Sequence, residues 1–249
     1  MRLFLTDLHI HTALSPCAEN EMTPPAIITA AQAKGLEIIG ICDHNSAENV
    51  EAVVKAGAVC GITVIGGIEV QTVEDVHVLT FFRHPDALSA WQKEVYSALP
   101  EVENDEERFG EQLIMDSNGR VTGKLCTFLL GSTSMSVDYV AKRVRELDGL
   151  VIPAHVDRPS FSLIRNLGFV PDMLEPCCME ISRNISAEEA RDRFPSIARF
   201  PLVKSSDAHR LSEIACYTGI WIESASWDEI LLALKFDKGR SVTLRDTIM

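Results

Sequence analysis

No apolar run in this 249-residue chain reaches the roughly 18 residues that a membrane-spanning helix needs. Asp7 interrupts the opening residues too soon for the apolar core of a secretory leader. A soluble, cytoplasmic protein with no membrane partner is therefore expected. Signals for paired cysteines are missing too. The count is seven, no C-x-x-C spacing occurs, and the neighbours Cys177 and Cys178 cannot form an unstrained bridge. A chain of this length builds a core without disulfides, so mostly buried, reduced thiols are expected. Positive charge is scarce: 23 Lys and Arg stand against 36 Asp and Glu, a formal net charge of −13. That balance argues against a protein that coats long DNA or RNA through a basic face. It leaves room for a small phosphorylated substrate, or a short oligonucleotide end, held by bound cations. Neither an internal repeat, nor a low-complexity tract, nor an interdomain linker is visible. One domain over residues 1–249 is expected.

What is present is an alternation of short β-branched runs with helical stretches. Leu3–His9 reads as a strand, and Thr23-Pro24-Pro25 supplies a cap and first-turn prolines for a helix that stops at Gly35. Glu37–Cys42 is a second strand, with Ser46 placed to cap the next helix. Thr63–Glu69 and His77–Phe82 are two more. From about 84 to 133 the pattern weakens into an inserted, largely exposed segment, with a helix near Asp86–Leu99 and an acidic run from Glu101 to Glu107. Helical spacing returns at Val137, Val140, Val144 and Leu147. Strands follow at Leu150–Ala154, Met179–Ile181, Leu202–Ser205 and Tyr217–Ile222, and Ser226 with Glu229 reads as a capping box for a last helix. Strands alternating with helices imply an α/β fold with a mostly parallel sheet, and the number of units suggests a closed, distorted barrel.

Position singles out the ionisable residues. His9, His44, His155 and His209 lie at or just beyond strand ends, His77 at a strand start, and His11 two residues after His9. In a parallel barrel the C-terminal strand ends converge on one face, which carries the chemistry. His9-x-His11 and Asp207-x-His209 each place two ligand types on one side of the backbone. Glu69 follows Gly66-Gly67-Ile68, where glycines allow a close approach to a ligand, and a carboxylate can bridge two cations. Each piece alone has a bland reading as a packed or surface residue. Together, six histidines and two or three acids at converging strand ends point to a metal site.

These residues also carry a family resemblance. Asp7-Leu8-His9-Ile10-His11-Thr12, Cys42-Asp43-His44-Asn45, Gly67-Ile68-Glu69, Asp75-Val76-His77, Pro153-Ala154-His155 and Ser206-Asp207-Ala208-His209 resemble, in order and spacing, the PHP (polymerase and histidinol phosphatase) family. The resemblance implies a distorted (β/α)7 TIM-like barrel holding two or three divalent ions, zinc, iron or manganese. His9, His11, Glu69 and Asp207 would bind one ion. Glu69, His77 and His155 would bind a second, with Glu69 bridging, and His44 and His209 a third. The family usually places a His or Asp shortly after the H-x-H pair; here the best-placed residue is Cys17, a thiolate suited to zinc or ferrous iron.

The implied activity is phosphoester hydrolysis of a small phosphorylated metabolite or nucleotide by a metal-bound hydroxide, with Glu69, Asp207 and Asp43 in catalytic positions. Arg158, Arg183 and Arg210 are candidates for bidentate phosphate contacts, the alternative for Arg158 being a local pair with Asp157. Asp43 would orient a metal-bound water or fix His44. Three other readings are weighed against this one: an exonuclease acting on short DNA or RNA ends, a non-catalytic metal-stabilised interaction module, and an amidohydrolase.

Overall fold

A computed structural model describes residues 1–245. The chain runs β1 (Arg2–Ile10), α1 (Pro24–Ala33), β2 (Ile38–Ile41), α2 (Val50–Cys60), β3 (Thr63–Gln71), β4 (His77–Phe82), α3 (Pro85–Ala98), α4 (Glu106–Phe109), β5 (Leu113–Met115) and β6 (Val121–Lys124). It continues with α5 (Val137–Glu146), β7 (Gly149–Pro153), α6 (Leu163–Leu167), β8 (Met179–Ile181), α7 (Ala187–Arg193), β9 (Leu202–Lys204), β10 (Thr218–Ile222), α8 (Trp227–Leu234) and β11 (Ser241–Leu244). Local chemistry sets many boundaries. Thr23 caps α1 by accepting from Ala26 N–H, with proline in the first turn, and Gly61 ends α2 in the left-handed region at φ 71°. Two expected caps do not form. Asn49, not Ser46, precedes α2, and the Ser46 hydroxyl instead meets the Tyr96 hydroxyl at 2.6 Å. Ser226 sits at the start of α8 without a side-chain cap bond, and the Glu229 carboxylate does not reach back to it, being taken by Arg240 at 2.7 Å and by Glu223 N–H.

Seven strands form one curled sheet in the order β11-β10-β1-β2-β3-β4-β7, with β8–β9 and β5–β6 as separate pairs. An α/β fold with a curved sheet, consistent with a distorted barrel, is as expected. The strand directions are more mixed than a repeat of parallel units. β1–β2 and β2–β3 are parallel, but β3–β4, β4–β7, β1–β10 and β10–β11 are antiparallel. The reason for the first reversal is length: the turn between Gln71 and His77 is far too short for the dozen or more residues of a parallel crossover. β4 therefore starts where β3 ends. The gap between β7 and β1 is filled at one end by the β8–β9 pair and the segment after it. Val156 N–H donates to Glu180 O (2.9 Å), and His11 N–H donates to Ala208 O (3.0 Å).

Strand alternation separates two apolar layers. Ile39, Ile41, Ile68, Val70 and Val78 pack outward with the helices, while Ile38, Ile65, Leu79, Phe81, Leu150 and Ile152 form an inner cluster that also takes Ile230 and Leu234 of α8. Glu69 shares the inner face with Ile65, and His77 with Leu79 and Phe81. Apolar side chains thus form the floor beneath both. Gly67, on the same face, serves packing rather than ligand approach: a Cβ there would meet Thr80 O at 2.3 Å and the Phe81 ring at 2.6 Å.

Within the weakly patterned segment, α3 buries Leu88, Trp91 and Val95 against the sheet, so this helix belongs to the core. The acidic run after it is exposed. Three of the seven thiols are buried; Cys17, Cys60 and Cys126 are exposed, against the expectation of mostly buried thiols. Among the described residues, no helix is long and apolar enough to cross a membrane.

Candidate metal centre

The ends of β1, β2, β3 and β7, the start of β4 and the segment after β9 meet at one mouth. There they bring together His9, His11, His44, Glu69, His77, His155, Asp207 and His209. Glu69 is central and fully buried. Its Oε1 lies 2.9 Å from His77 Nδ1, 3.3 Å from His155 Nε2 and 3.4 Å from His9 Nε2. Its Oε2 lies 2.9 Å from His44 Nδ1 and 3.3 Å from His11 Nε2. Asp207 Oδ1 stands opposite, 3.3 Å from His9 Nε2 and 3.2 Å from His11 Nε2. Three overlapping sets could each hold an ion: His9, His11 and Glu69; His44, Glu69 and His77; His11, His44 and His209. Glu69, His11 and His44 each belong to two of these sets, whereas the resemblance shares Glu69 alone.

Whether cations fit can be tested on the polar atoms. Both Glu69 oxygens, both ring nitrogens of His77 and Nδ1 of His155 are buried without a hydrogen-bond partner, although Glu69 and His77 approach to 2.9 Å. Buried polar groups left unpaired are costly and uncommon. So many at one point, on a carboxylate and imidazoles that can each offer a lone pair, suit divalent ions. The outer contacts agree. His9 Nδ1 meets Glu180 Oε2 at 3.0 Å and His11 Nδ1 meets Ser15 Oγ at 2.9 Å, which leaves both Nε2 lone pairs free to face each other at 3.1 Å. Two such lone pairs repel unless a cation or proton lies between them.

Electrostatics points the same way. Burial opposes the charged forms throughout, but the groups offset one another. The raised imidazoles of His9 and His44 hold the Glu69 carboxyl well below its usual range against burial, and His9 and His11 do so for Asp207. Glu180, Asp207 and Glu69 in turn raise His9 well above the ordinary imidazole value, and Cys17 and Glu69 raise His44. Burial pushes His77 down to about 4, leaving the ring neutral with one of its two nitrogens offering a lone pair.

Asp43 does not reach the cluster. Its Oδ1 accepts from Thr12 N–H and the Ser15 hydroxyl, both at 2.7 Å, and its Oδ2 accepts from the Thr12 hydroxyl at 2.8 Å. Both of its oxygens are thus occupied by Thr12 and Ser15, in line with the alternative that Asp43 fixes a neighbouring ligand. It fixes Ser15, which in turn holds His11 and accepts from His44 N–H at 3.1 Å. Cys17 stands beside His44 and His209. Burial opposes its ionisation, but those two imidazoles outweigh burial and hold the thiol at about 5.

The three arginines divide. Arg158 reaches the cluster, with Nη1 2.6 Å from Asp207 Oδ2. Its neighbour Asp157 is instead bound to the Ser182 amide and hydroxyl. Arg183 pairs with Glu213 at the edge, and Arg210 with Glu19 on the surface, its side chain 63% exposed. His84 lies at the opposite end, lining an apolar groove of about 600 Å³ with Phe82, Leu88 and Trp227.

Sequence reasoning missed Glu180, fully buried between Met179 and Ile181, whose Oε2 takes both His9 Nδ1 and the His155 N–H at 3.0 Å. The only signal was an acid in the middle of an apolar three-residue strand. It missed Asp7 also. That carboxylate is buried and accepts from Ser206, Ala215 and His9 N–H, which ties β1 to the Asp207 segment; burial raises it to about 6. His155 and Asp207 have positive φ (29° and 51°), a strained backbone of the kind that clusters at functional sites.

Such a centre gathers buried histidines and carboxylates that could hold metal ions at one end of a curled α/β sheet. The chain belongs to the PHP domain family, whose model matches residues 7–147. Among curated proteins it is 22% identical to the uncharacterised YqxK of Bacillus subtilis, over 97% of this chain and 64% of that protein. Among solved structures it is similar to the lesion-specific endonuclease Q of Pyrococcus furiosus (TM-score 0.73, 20% identity, 97% of this chain and 58% of that one). It is also similar to a putative metal-dependent phosphoesterase of Bifidobacterium adolescentis (TM-score 0.58, 20% identity, 82% and 87%). The chain thus spans less than two thirds of the length of the first two. At these identities the structural likeness speaks for the fold.

Proposed function

We propose that this chain hydrolyses phosphoesters with two or three divalent ions, zinc, iron or manganese, held by His9, His11, His44, Glu69, His77, His155, Asp207 and His209, with Cys17 at the edge of the third position. The carrying observation is Glu69: a buried carboxylate with both oxygens unpaired, ringed by imidazole nitrogens at 2.9–3.4 Å. When bound, the ions would supply hydroxide near neutral pH and neutralise phosphate charge. The chain's own residues do the rest. Glu180 and the Asp43–Ser15 pair fix the tautomers of His9 and His11. Arg158 stands free enough at the mouth, 35% exposed, to leave Asp207 for a phosphate oxygen. Of segment 84–133, read as an insertion, the part beyond α3 would provide an outer wall.

The substrate class we favour is a nucleotide or another small phosphorylated metabolite, in line with the acidic surface. A second reading, a nucleic-acid phosphodiester, draws support from the likeness to endonuclease Q, one structure of which holds a 27-mer duplex with an abasic lesion. The test strips the purified chain with a chelator, restores zinc, iron or manganese singly, and screens phosphomonoesters, 3′,5′-bisphosphates, short oligonucleotides and lesion-bearing duplexes. Metal-restored turnover that Glu69→Ala and Asp207→Ala abolish is expected. Failure of every metal to bind would overturn the reading.

A further inference from the structure

The segment that leaves β7 carries three chemically distinct side chains at even spacing: His155 in the cluster, Arg158 on Asp207, and Phe161. The last has no part in the metal centre and is not explained by core packing, since it is 40% exposed. Its ring lies on that of His77, centroids 4.7 Å apart and planes 15° from parallel. Its backbone is left-handed at φ 53°, unusual for a bulky aromatic residue. Two tethers hold it there. His77 N–H donates to Phe161 O at 3.0 Å, and Asn166 of the following helix donates to Glu74 O and Asp75 O of the β3–β4 turn. A solvent-facing aromatic ring fixed in a strained conformation at the rim of a polar site is placed to receive a flat ligand.

Resting on the phosphoesterase reading, we propose that Phe161 is a specificity-determining stacking platform for the nucleobase of the substrate, so that nucleotides are preferred over sugar phosphates without a base. Arg158 and the cluster would take the phosphate on one side, and the base would lie against the ring on the other. Any base has a π-face, so the preference would be for a nucleobase as such rather than for one base.

The test compares adenosine 5′-monophosphate with ribose 5-phosphate, the same sugar phosphate with and without the base. Dissociation constants are measured by calorimetry on the metal-loaded full chain, and turnover is measured alongside. Wild type should favour the nucleotide, and Phe161→Ala should shrink that preference by about 10- to 100-fold, the range that base–aromatic stacking supplies. Phe161→Trp should keep it. Metal content of each variant is measured in parallel. A preference unchanged in Phe161→Ala overturns the platform. Equal weakening of both ligands together with loss of metal also overturns it, because the ring would then merely buttress His77. A base preference that tracks the ring without any turnover would keep the platform and sink the hydrolase reading alone.

Discussion

Glu180→Gln isolates the contribution of the charge that stands behind His9 Nδ1. The side chain keeps its size and one oxygen, so the bond from His155 N–H at 3.0 Å can persist, and the fold should hold. What is lost is the negative charge behind His9 Nδ1, 3.0 Å away. Across the imidazole and a metal–nitrogen bond of about 2.1 Å, that charge sits about 7 Å from an ion bound at Nε2. At an effective dielectric constant near 20, the attraction between unit charges at that distance is about 2 kcal/mol. Removing partners of this kind typically weakens metal binding about 10- to 100-fold, or about 1.4–2.7 kcal/mol, which agrees in order of magnitude. The assay is competition against a chelator of known affinity, with elemental analysis, and a thermal melt of the metal-free variant as a control for folding. Unchanged metal affinity in a well-folded Glu180→Gln protein would refute the argument that this buried carboxylate raises the basicity of His9.

Three further outcomes follow from the same geometry. Metal binding should release protons near pH 7, because His9 and His44 are raised by their acidic neighbours and must lose protons to ligate; calorimetry in buffers of different ionisation enthalpy reads this, and no proton release would contradict it. Arg158→Lys should raise KM for phosphoesters, as a bidentate contact becomes a single one, while metal content stays unchanged; kinetics with elemental analysis checks the split. Asp7 should make the metal-free protein lose stability as pH rises from about 4 to about 6. Its folded pKa of about 6 lies above the ordinary 3.8, so the folded state binds the extra proton. The full term is about 3 kcal/mol, and Asp7→Asn should flatten that slope in denaturant titrations.

Much of the centre could be read from the chain because chemistry and position coincide. His9, His44 and His155 follow apolar strands, and the ends of parallel strands converge. The direction of β4 was readable in principle, since the turn after Gln71 leaves no room for a crossover, yet its strand pattern looks like any other. Glu180 was not readable, because one acid in a three-residue strand resembles ordinary in-and-out alternation until a partner across the barrel is known. The same holds for the arginines: Arg158, Arg183 and Arg210 look alike in sequence, and only the placement of Asp207, Glu213 and Glu19 separates them. Ser226 with Glu229 shows the converse. A correct local motif yields to a stronger partner, Arg240, that local spacing cannot reveal.

The reversed β4 has a consequence for how the centre assembles. Glu69 and His77 sit on one hairpin, close neighbours along the chain, so two of the eight residues of the centre can come together through local contacts early in folding. Asp207 and His209 arrive from much later in the chain and join His9 and His11 beside the bridge between Ile10 and Ala208. An ion held by both His9 and Asp207 would therefore clasp the first strand to the last third of the molecule. Chelation should loosen that bridge first, visible as faster amide exchange at Ala208 and His11 while the hairpin stays protected.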